Sequence, residues 1–334
     1  MRYGCILLAA LLLVSCAASA EKPAYFEVTF LSTNDLHAHD VPFTFPGDAS
    51  RNAAPIRDAG GMARIAGVVK RTRADMKTPV VLVDSGDTAH GHTALPKAFR
   101  GESTVAAMNA MCYTVMVPGN HEFEWHSPDT VRNYSRSRFP WIAANLVDVE
   151  TGETWLPPYI IREIGGVRVA FLGLTNDIIR TDKRYVAASE LGLTIINATE
   201  TAARLIPELR RQADIVVVLS HLGVNEDAKL AGEVPGIDAI FGGHTHTKLS
   251  VPRMVTVGER TAFSLGAVPV VQAGLHGLHV GRTRLIFRRS SHDGRYTLMS
   301  CRGDLVTIDA STKSDPEVAG IIADFEARIP SASP

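Results

Sequence analysis

The chain has 334 residues, of which 46% are hydrophobic and 21% are charged, a composition typical of globular proteins. It excludes a disordered acidic tail, a collagen-like rod and a coiled coil. The 34 Lys and Arg residues nearly balance the 35 Asp and Glu residues, so no basic excess indicates a nucleic acid or an anionic membrane surface as partner.

The first 20 residues have the pattern of a secretory signal. Arg2 precedes an apolar run at residues 6–14, which is shorter than the roughly 20 residues that a membrane-spanning helix needs. Residues 13–16 (LVSC) resemble a bacterial lipobox, whose cysteine, Cys16, is lipidated, whereas residues 18–20 (ASA) form an ordinary cleavage site. We therefore expect an exported protein of the bacterial periplasm or cell envelope. A lipid anchor on Cys16 is its one expected membrane contact.

From residue 25 onward, short runs rich in Val, Ile and Leu alternate with helical patterns. Such runs predict strands buried on both faces, and their alternation with helices predicts a layered α/β sheet. The predicted strands are 27–33, 80–84, 113–117, 141–144, 167–174, 215–219 and 239–241. The predicted helices are 62–75, about 103–110, and 199–212, the last kinked or split at Pro207. Residues 40–60, rich in Pro, Asp, Asn and Gly, predict a long loop.

The last third of the chain has strand patterns without helices between them. Strands are predicted at residues 269–273, 283–288 and 296–299, and Asp293-Gly294 predicts a hairpin turn between the last two. Asp315-Pro316 has the pattern of a helix start, so we expect a final helix that ends near Arg328.

Five of the predicted strands end in a polar segment that contains Asp, Asn or His. One such segment alone is typical of a solvated loop, but five segments that follow five strands are not expected by chance. In an open α/β sheet, ligands bind outside the carboxyl ends of the strands, so we expect the segments to share one site. They are residues 34–37 (NDLH), 84–87 (DSGD), 119–122 (GNHE), 220–223 (SHLG) and 242–246 (GGHTH).

The residue types in these segments are suited to metal binding. Imidazole, carboxylate and amide groups favour Zn, Mn or Fe, and none of the four cysteines lies in a CxxC pair. A site with two ions needs a bridging carboxylate, for which Asp87 is the natural candidate. The sequence contains no Gly-x-Ser-x-Gly elbow, Walker A loop or dinucleotide fingerprint.

This set of motifs resembles the calcineurin-like metallophosphoesterases, and more narrowly their 5′-nucleotidase and UDP-sugar hydrolase branch. The cues for the branch are residues 32–37 (STNDLH), 60–64 (GGMAR) and 119–123 (GNHEF). The resemblance implies a single-domain α/β fold, a four-layer α/β/β/α sandwich with two mixed sheets. It places the catalytic domain at residues 25–312, followed by a C-terminal helix and tail at 313–334. It implies hydrolysis of phosphate monoesters, with 5′-nucleotides as the expected substrates.

The resemblance also implies two divalent metal ions and a role for each site residue. The first ion would be held by Asp35, His37, Asp87 and His246, and the second by Asp87, Asn120, His221 and His244. A metal-activated hydroxide would attack phosphorus. His121 would stabilise the transition state and assist the leaving oxygen without binding metal.

Two departures from the family pattern affect this expectation. The family has Asp three residues after the catalytic His, whereas this chain has Glu124, which we expect to reach His121 but to hold it less firmly. The nucleotidases of the family also carry a C-terminal domain that supplies arginines for the phosphate and aromatic rings for the base. Because the sequence stops at Pro334, we expect the metal centre to carry over and the substrate pocket not to.

Two alternative functions remain at this point. One is hydrolysis of a sulfur ester, since a thiosulfohydrolase branch shares much of the pattern. The other is a non-catalytic metal-binding lipoprotein, against which the presence of His121 argues. The remaining histidines are interpreted as loop residues (His39, His90, His92) or as part of a strand or turn in the C-terminal sheet (His276, His279). The alternative for His90 and His92, which follow Asp87 closely, is a place in the lining of the cleft. The pattern leaves the oligomeric state open.

Overall fold

A computed structural model of the protein describes residues 22–48, 54–262 and 264–329. The predicted signal segment and Cys16 lie outside these ranges and stay predictions. Within them, no helix combines the length and the apolar character that a membrane crossing requires.

The chain alternates strands and helices up to β11 and then forms mainly strands. The strands are β1 (Tyr25–Thr33), β2 (Phe43–Phe45), β3 (Ile56–Ala59), β4 (Val80–Asp84), β5 (Val115–Met116), β6 (Leu146–Asp148), β7 (Tyr159–Ile164), β8 (Val167–Leu174), β9 (Leu193–Ile195), β10 (Ile215–Ser220), β11 (Ala239–Gly242), β12 (Arg253–Thr256), β13 (Ala267–Val271), β14 (His279–Arg289) and β15 (Tyr296–Thr307). The helices are α1 (Met62–Asp75), α2 (Ala94–Phe99), α3 (Glu102–Ala110), α4 (Ser127–Arg136), α5 (Ile178–Thr181), α6 (Val186–Glu190), α7 (Ala198–Gln212), α8 (Val224–Glu233) and α9 (Pro316–Ala327).

Two mixed sheets form the body of the protein. The first has the order β15-β14-β1-β4-β5, in which β1, β4 and β5 are parallel and β14 and β15 are antiparallel. The second has the order β12-β13-β11-β10-β8-β7, with parallel inner strands and an antiparallel strand at each edge. In both sheets the predicted polar segments therefore follow strands that run in parallel.

The sheets pack face to face, and helices cover their outer faces. Phe30 and Phe241 meet in the core between the sheets, with ring centroids 4.8 Å apart. On the outer face of the first sheet, Leu82 of β4 shares a core with residues of α1, α3 and α9. On the outer face of the second, Val218 of β10 shares a core with residues of α7 and α8. The predicted four-layer α/β/β/α fold is therefore confirmed, and burial on both faces explains why the strands are continuous apolar runs.

The predicted strand at residues 141–144 is wrong. Ile142 donates its backbone N–H to Met116 of the first sheet at 2.9 Å, whereas Ala144 donates to Gly173 of the second at 2.8 Å. Because the segment divides its hydrogen bonds between the two sheets, only an isolated bridge between Trp141 and Met116 forms.

Two other local predictions need correction. In the expected loop at residues 40–60, β2 and β3 pair with each other as a short antiparallel hairpin. Helix α7 is not split, because it continues through Pro207. Pro207 removes the hydrogen bond to the carbonyl of Ala203, but both residues lie on the exposed face, where water can replace it.

The C-terminal features agree with the sequence pattern. Gly294 has a φ of +71° in the turn that joins β14 to β15, as the Asp-Gly pair predicts. The Asp315 side chain accepts hydrogen bonds from the N–H groups of Glu317 and Val318, and α9 packs on α1 and α3. The division of the chain at residue 312 stays a prediction.

The cap of α9 can be tested by substitution. Asp315→Ala removes the acceptor for two N–H groups, so we expect a loss of about 1 kcal/mol in the free energy of unfolding. Asp315→Asn keeps an acceptor oxygen and should lie close to the wild type. Urea denaturation monitored by circular dichroism measures both, and an Ala variant as stable as the wild type would contradict the proposed cap.

Candidate metal centre

The polar segments after β1, β4, β5, β10 and β11 meet at one edge of the two sheets. Their side chains form three overlapping groups whose potential ligand atoms lie within 4.8 Å of one another. Asp87 belongs to two of these groups. The groups are Asp35 with His37 and His246, His37 with Asp87 and His121, and Asp87 with His221 and His244. The six Asp and His residues predicted as ligands are therefore brought together.

The donor atoms of these residues suit a cation. His221 faces the Ser85 carbonyl through Nδ1 at 2.6 Å, and its Nε2 lies 3.0 Å from Oδ2 of Asp87. The contact with Asp87 lacks the angles of a hydrogen bond, so this buried Nε2 has no hydrogen-bond partner in the part of the chain that the structure describes. A buried imidazole nitrogen beside a carboxylate, with the other ring nitrogen on a carbonyl, is typical of a metal ligand.

The other half of the centre also places imidazole nitrogens beside a carboxylate. The Nε2 atoms of His37 and His246 lie 3.1 Å apart, and Nε2 of His246 lies 3.4 Å from Oδ1 of Asp35. Burial lowers the pKa of His37 to about 4, against the opposing charges of Asp87 and Asp35. The ring is therefore neutral near pH 7, which is the form that binds metal. Nitrogen and oxygen donors of this kind fit Zn, Mn or Fe.

Asn120, the seventh predicted ligand, is held by two neighbours. Its Oδ1 accepts a hydrogen bond from Nδ2 of Asn176 at 2.8 Å, and its Nδ2 donates to the hydroxyl of Tyr185 at 2.8 Å. Nδ2 of Asn176 also lies 3.0 Å from Nδ1 of His244. Asn176 therefore contacts two predicted ligands of the same ion. The sequence analysis missed Asn176 and Tyr185, although a polar pair, Thr175-Asn176, directly follows β8.

Backbone strain is concentrated at this edge of the sheets. Non-glycine residues rarely adopt positive φ, and those that do often lie at functional sites. Ten described non-glycine residues have positive φ, and five of them are predicted ligands. The five are Asp35 (50°), His37 (46°), Asp87 (55°), His244 (75°) and His246 (54°).

Gly119 allows the segment after β5 to approach the centre closely. A Cβ atom at this position would collide with Oδ1 of Asp87 and would lie 2.6 Å from the ring of His221. Only glycine therefore lets Asn120 and His121 follow so close to these two side chains.

Glu122 fixes the same loops, and the sequence analysis assigned it no role. Its two carboxylate oxygens accept hydrogen bonds from the backbone N–H groups of Asp87, Thr88, Ala89 and Gly119, at 2.6–3.0 Å. Since its exposed fraction is 2%, water cannot replace these acceptors. Glu122 therefore holds the Asp87 loop against Gly119. Its place in the Gly-Asn-His-Glu motif was the one signal that could have indicated this.

His121 and Glu124 lie beside the centre, at the 3₁₀ turn His121–Phe123. The backbone N–H of His121 donates to Oδ1 of Asp87 at 2.8 Å, and its Nδ1 lies 3.1 Å from Oε1 of Glu124. Glu124 therefore reaches His121, as expected. Its other oxygen, Oε2, lies 3.0 Å from Nε2 of His90.

His90 lies in a loop, as expected, but the side chain is buried beside the candidate centre. Its exposed fraction is 3%, its ring stacks on His121 with centroids 5.5 Å apart, and Trp125 covers it at 4.1 Å. His90, Glu124 and His121 therefore form a continuous row, with one carboxylate between two imidazoles.

The charges in this row favour a protonated His121. Burial lowers the pKa of His121, but the contact with the Glu124 carboxylate and the charge of Asp87 outweigh it, so the pKa is raised. For Glu124, burial raises the pKa, and its contacts with His121 and His90 outweigh this effect and hold the pKa well below its usual range. An imidazolium beside an ionised carboxylate can donate a proton.

Two further histidines differ in position. His279 begins β14, as expected for a residue of the C-terminal sheet. His276 lies in the turn before β14, also as expected, and its ring lies 5.5 Å from that of His37 and stacks on His39 at 3.9 Å. His39 and His276 therefore both lie close to the predicted ligand His37.

Comparison with known proteins identifies the family. The sequence profile of the calcineurin-like phosphoesterases matches residues 28–248. The chain belongs to the calcineurin-like phosphoesterase family. This membership confirms the resemblance that the motifs indicated.

Individual relatives support the same conclusion. The chain is 27% identical to a 2′,3′-cyclic-nucleotide 2′-phosphodiesterase/3′-nucleotidase of Salmonella typhimurium, over 95% of this chain and 53% of that protein. It is 28% identical to the snake venom 5′-nucleotidase of Naja atra, over 91% of this chain and 58% of that protein. The crystal structure of a 5′-nucleotidase precursor from Thermus thermophilus aligns with a TM-score of 0.75 at 26% identity, over 90% of this chain and 59% of that one. The chain thus spans between half and three fifths of these relatives.

The role of Glu122 can be tested by unfolding experiments. Glu122→Ala leaves four buried N–H groups without an acceptor, so we expect the free energy of unfolding to fall by at least about 3 kcal/mol. Glu190→Ala is the control, because Glu190 also accepts a backbone N–H, from Ser127, but at an exposed position. Denaturant unfolding of the metal-free proteins compares them, and equal losses in both variants would contradict the role of Glu122.

Proposed function

We propose that this chain holds two divalent metal ions and hydrolyses phosphate monoesters of nucleotides. The observation that carries the proposal is the position of Asp87 in a calcineurin-like phosphoesterase, because its carboxylate lies within 4.8 Å of a ring nitrogen of His37 and also of those of His221 and His244. Asp87 would belong to both ligand sets, since a two-ion site requires a carboxylate between two sets of ligands. Asp35, His37 and His246 complete the first set, and Asn120, His221 and His244 complete the second.

The substrate class rests on the relatives. By their names, the relative from Salmonella typhimurium acts on 2′,3′-cyclic nucleotides and 3′-nucleotides, and the relative from Naja atra acts on 5′-nucleotides. Because both act on nucleotides, this class is favoured over the sulfur esters considered from the sequence. The two relatives differ in the position of the phosphate on the nucleotide that they are named for. Of these positions, we propose the 5′ position for the substrates of this chain.

The residues around the centre have different roles in the proposed reaction. When held by these residues, two divalent ions would supply the positive charge that polarises the phosphate oxygens and favours ionisation of a water. His121 is fixed by Asp87 and Glu124, and its Nε2 lies 3.9 Å from Oδ2 of Asp87, on the side of the metal ligands. From there Nε2 stabilises the charge that develops on the phosphate and donates a proton to the leaving oxygen.

Glu124 acts through His121. Its carboxylate faces Nδ1 of His121, so it keeps the ring oriented and stabilises the protonated form. His90 holds the opposite oxygen of Glu124, which compensates for the greater freedom of the longer side chain. A metal-storage protein has no need of such a row, so the row favours an enzyme over a non-catalytic lipoprotein.

We also propose that the protein is exported. The predicted signal at residues 1–20 supports export, as do the names of relatives from snake venom and of a precursor. If the lipobox is used, Cys16 is lipidated in this proposal. Otherwise the signal segment is removed by cleavage at the site formed by residues 18–20.

The experiment that tests the function compares the wild type with His121→Ala after loading with Mn or Zn. The wild type should hydrolyse AMP and p-nitrophenyl phosphate and lose this activity on chelation. His121→Ala should retain its metal, measured by mass spectrometry, while kcat falls by about 10²–10⁴-fold, as is typical for loss of general acid or electrostatic catalysis.

A neighbouring histidine provides the control for this substitution. His92 lies 5.4 Å from His90 but is exposed, so His92→Ala should leave kcat and metal content unchanged. Loss of metal from His121→Ala would make His121 a ligand. A metal-loaded wild type that cleaves no phosphate ester would refute the proposed function.

A further inference from the structure

A cavity of about 550 Å³ opens next to the metal centre. It lies between the segment after β8, the start of α7, and α8, and its size is in the range of small-molecule sites, about 300–1,000 Å³. The residues that line it include Asn145, Asn176, Asn197, Thr199 and Lys229.

Two residues that line the cavity connect it to the predicted metal ligands, which do not line it themselves. Asn176 lines it and also contacts Asn120 at 2.8 Å and His244 at 3.0 Å. Leu222, the residue after His221, lines it as well. A molecule in the cavity would therefore lie close to a phosphate held at the centre.

The chemistry of the wall indicates which group binds there. Amide and hydroxyl side chains predominate, and the lining residues include no aromatic ring that could stack on a base. Lys229 shares the wall with two acidic residues, Asp177 and Glu226, so the charge does not favour a second phosphate. Amides, a hydroxyl and charges of both signs are instead suited to the hydroxyl groups of a sugar, which both donate and accept hydrogen bonds.

Some of these polar groups are available to a ligand. In the parts of the chain covered by the structure, the side chains of Thr199, Glu226 and Lys229 make no hydrogen bond or ion pair. Asn197 uses its side-chain oxygen to cap α7, but the structure assigns no partner to its Nδ2. A bound sugar can therefore form new hydrogen bonds without breaking existing ones.

We propose that this cavity binds the sugar part of the leaving group. The inference rests on the proposed function, because it takes the phosphate of the same substrate to lie at the metal centre. Within this chain the cavity would recognise the sugar of the substrate and not its base, since the cavity wall offers no stacking surface for a base. Ribose 5-phosphate should therefore be hydrolysed with a kcat/KM within about tenfold of that for AMP, a difference of 1.4 kcal/mol.

Filling the cavity tests this assignment. Thr199→Trp places a large side chain on the cavity wall, and Glu208→Trp places the same side chain on an exposed position of α7 as a control. The substrates are ribose 5-phosphate, AMP and methyl phosphate, which has no sugar. Thr199→Trp should lower kcat/KM for the two sugar esters by at least about tenfold and leave that for methyl phosphate within about twofold. Glu208→Trp should change none of the three.

A second variant guards against misfolding of the first. If circular dichroism shows that Thr199→Trp is not folded, Lys229→Ala replaces it as the test of the cavity. Lys229→Ala should lower kcat/KM for ribose 5-phosphate but not for methyl phosphate. Equal effects on all three substrates, or no effect on any, would overturn the assignment of the cavity. Hydrolysis of methyl phosphate by the wild type reports the proposed function alone, so the two proposals fail separately.

Discussion

The site depends on holding the carboxylate of Asp87 still among four imidazole rings. Asp87 has a positive φ, is almost completely buried, and lies beside His37, His121, His221 and His244. A conformation of this kind persists only where the surroundings over-determine it. Here Glu122 binds the backbone of the Asp87 loop, and Gly119 lets the next loop pass directly beside it. The two packed sheets provide the rigid frame from which these loops extend.

The sequence predicts this arrangement well where the signal is local. Continuous apolar runs identify the inner strands because both sheet faces are buried, and the Asp and His residues directly follow those strands. Parallel strands then bring the segments to one edge, which explains why the six Asp and His residues that the family resemblance implied as metal ligands lie together. The start of α9 is a local signal of the same kind, since Asp315 caps the helix that it precedes.

The predictions fail where a residue acts on a distant part of the chain. Glu122 contacts the N–H of Asp87, 35 residues earlier, and Asn176 contacts Asn120, 56 residues earlier, with no periodic pattern to indicate either. His90 is a loop residue, as predicted, but its contacts with Glu124 and Trp125 were not predicted, because these partners come from another segment. The strand expected at residues 141–144 fails for a related reason, because its backbone bonds to both sheets. Such contacts depend on the packing of the sheets, which the sequence does not display.

The central claim is that these loops build one centre for two ions, with Asp87 between them. Anomalous scattering from a crystal soaked with Mn²⁺ tests it most directly. The account predicts two anomalous peaks about 3.5–4 Å apart, both within bonding distance of the Asp87 carboxylate. A single peak, or two peaks of which one has no contact with Asp87, would contradict it.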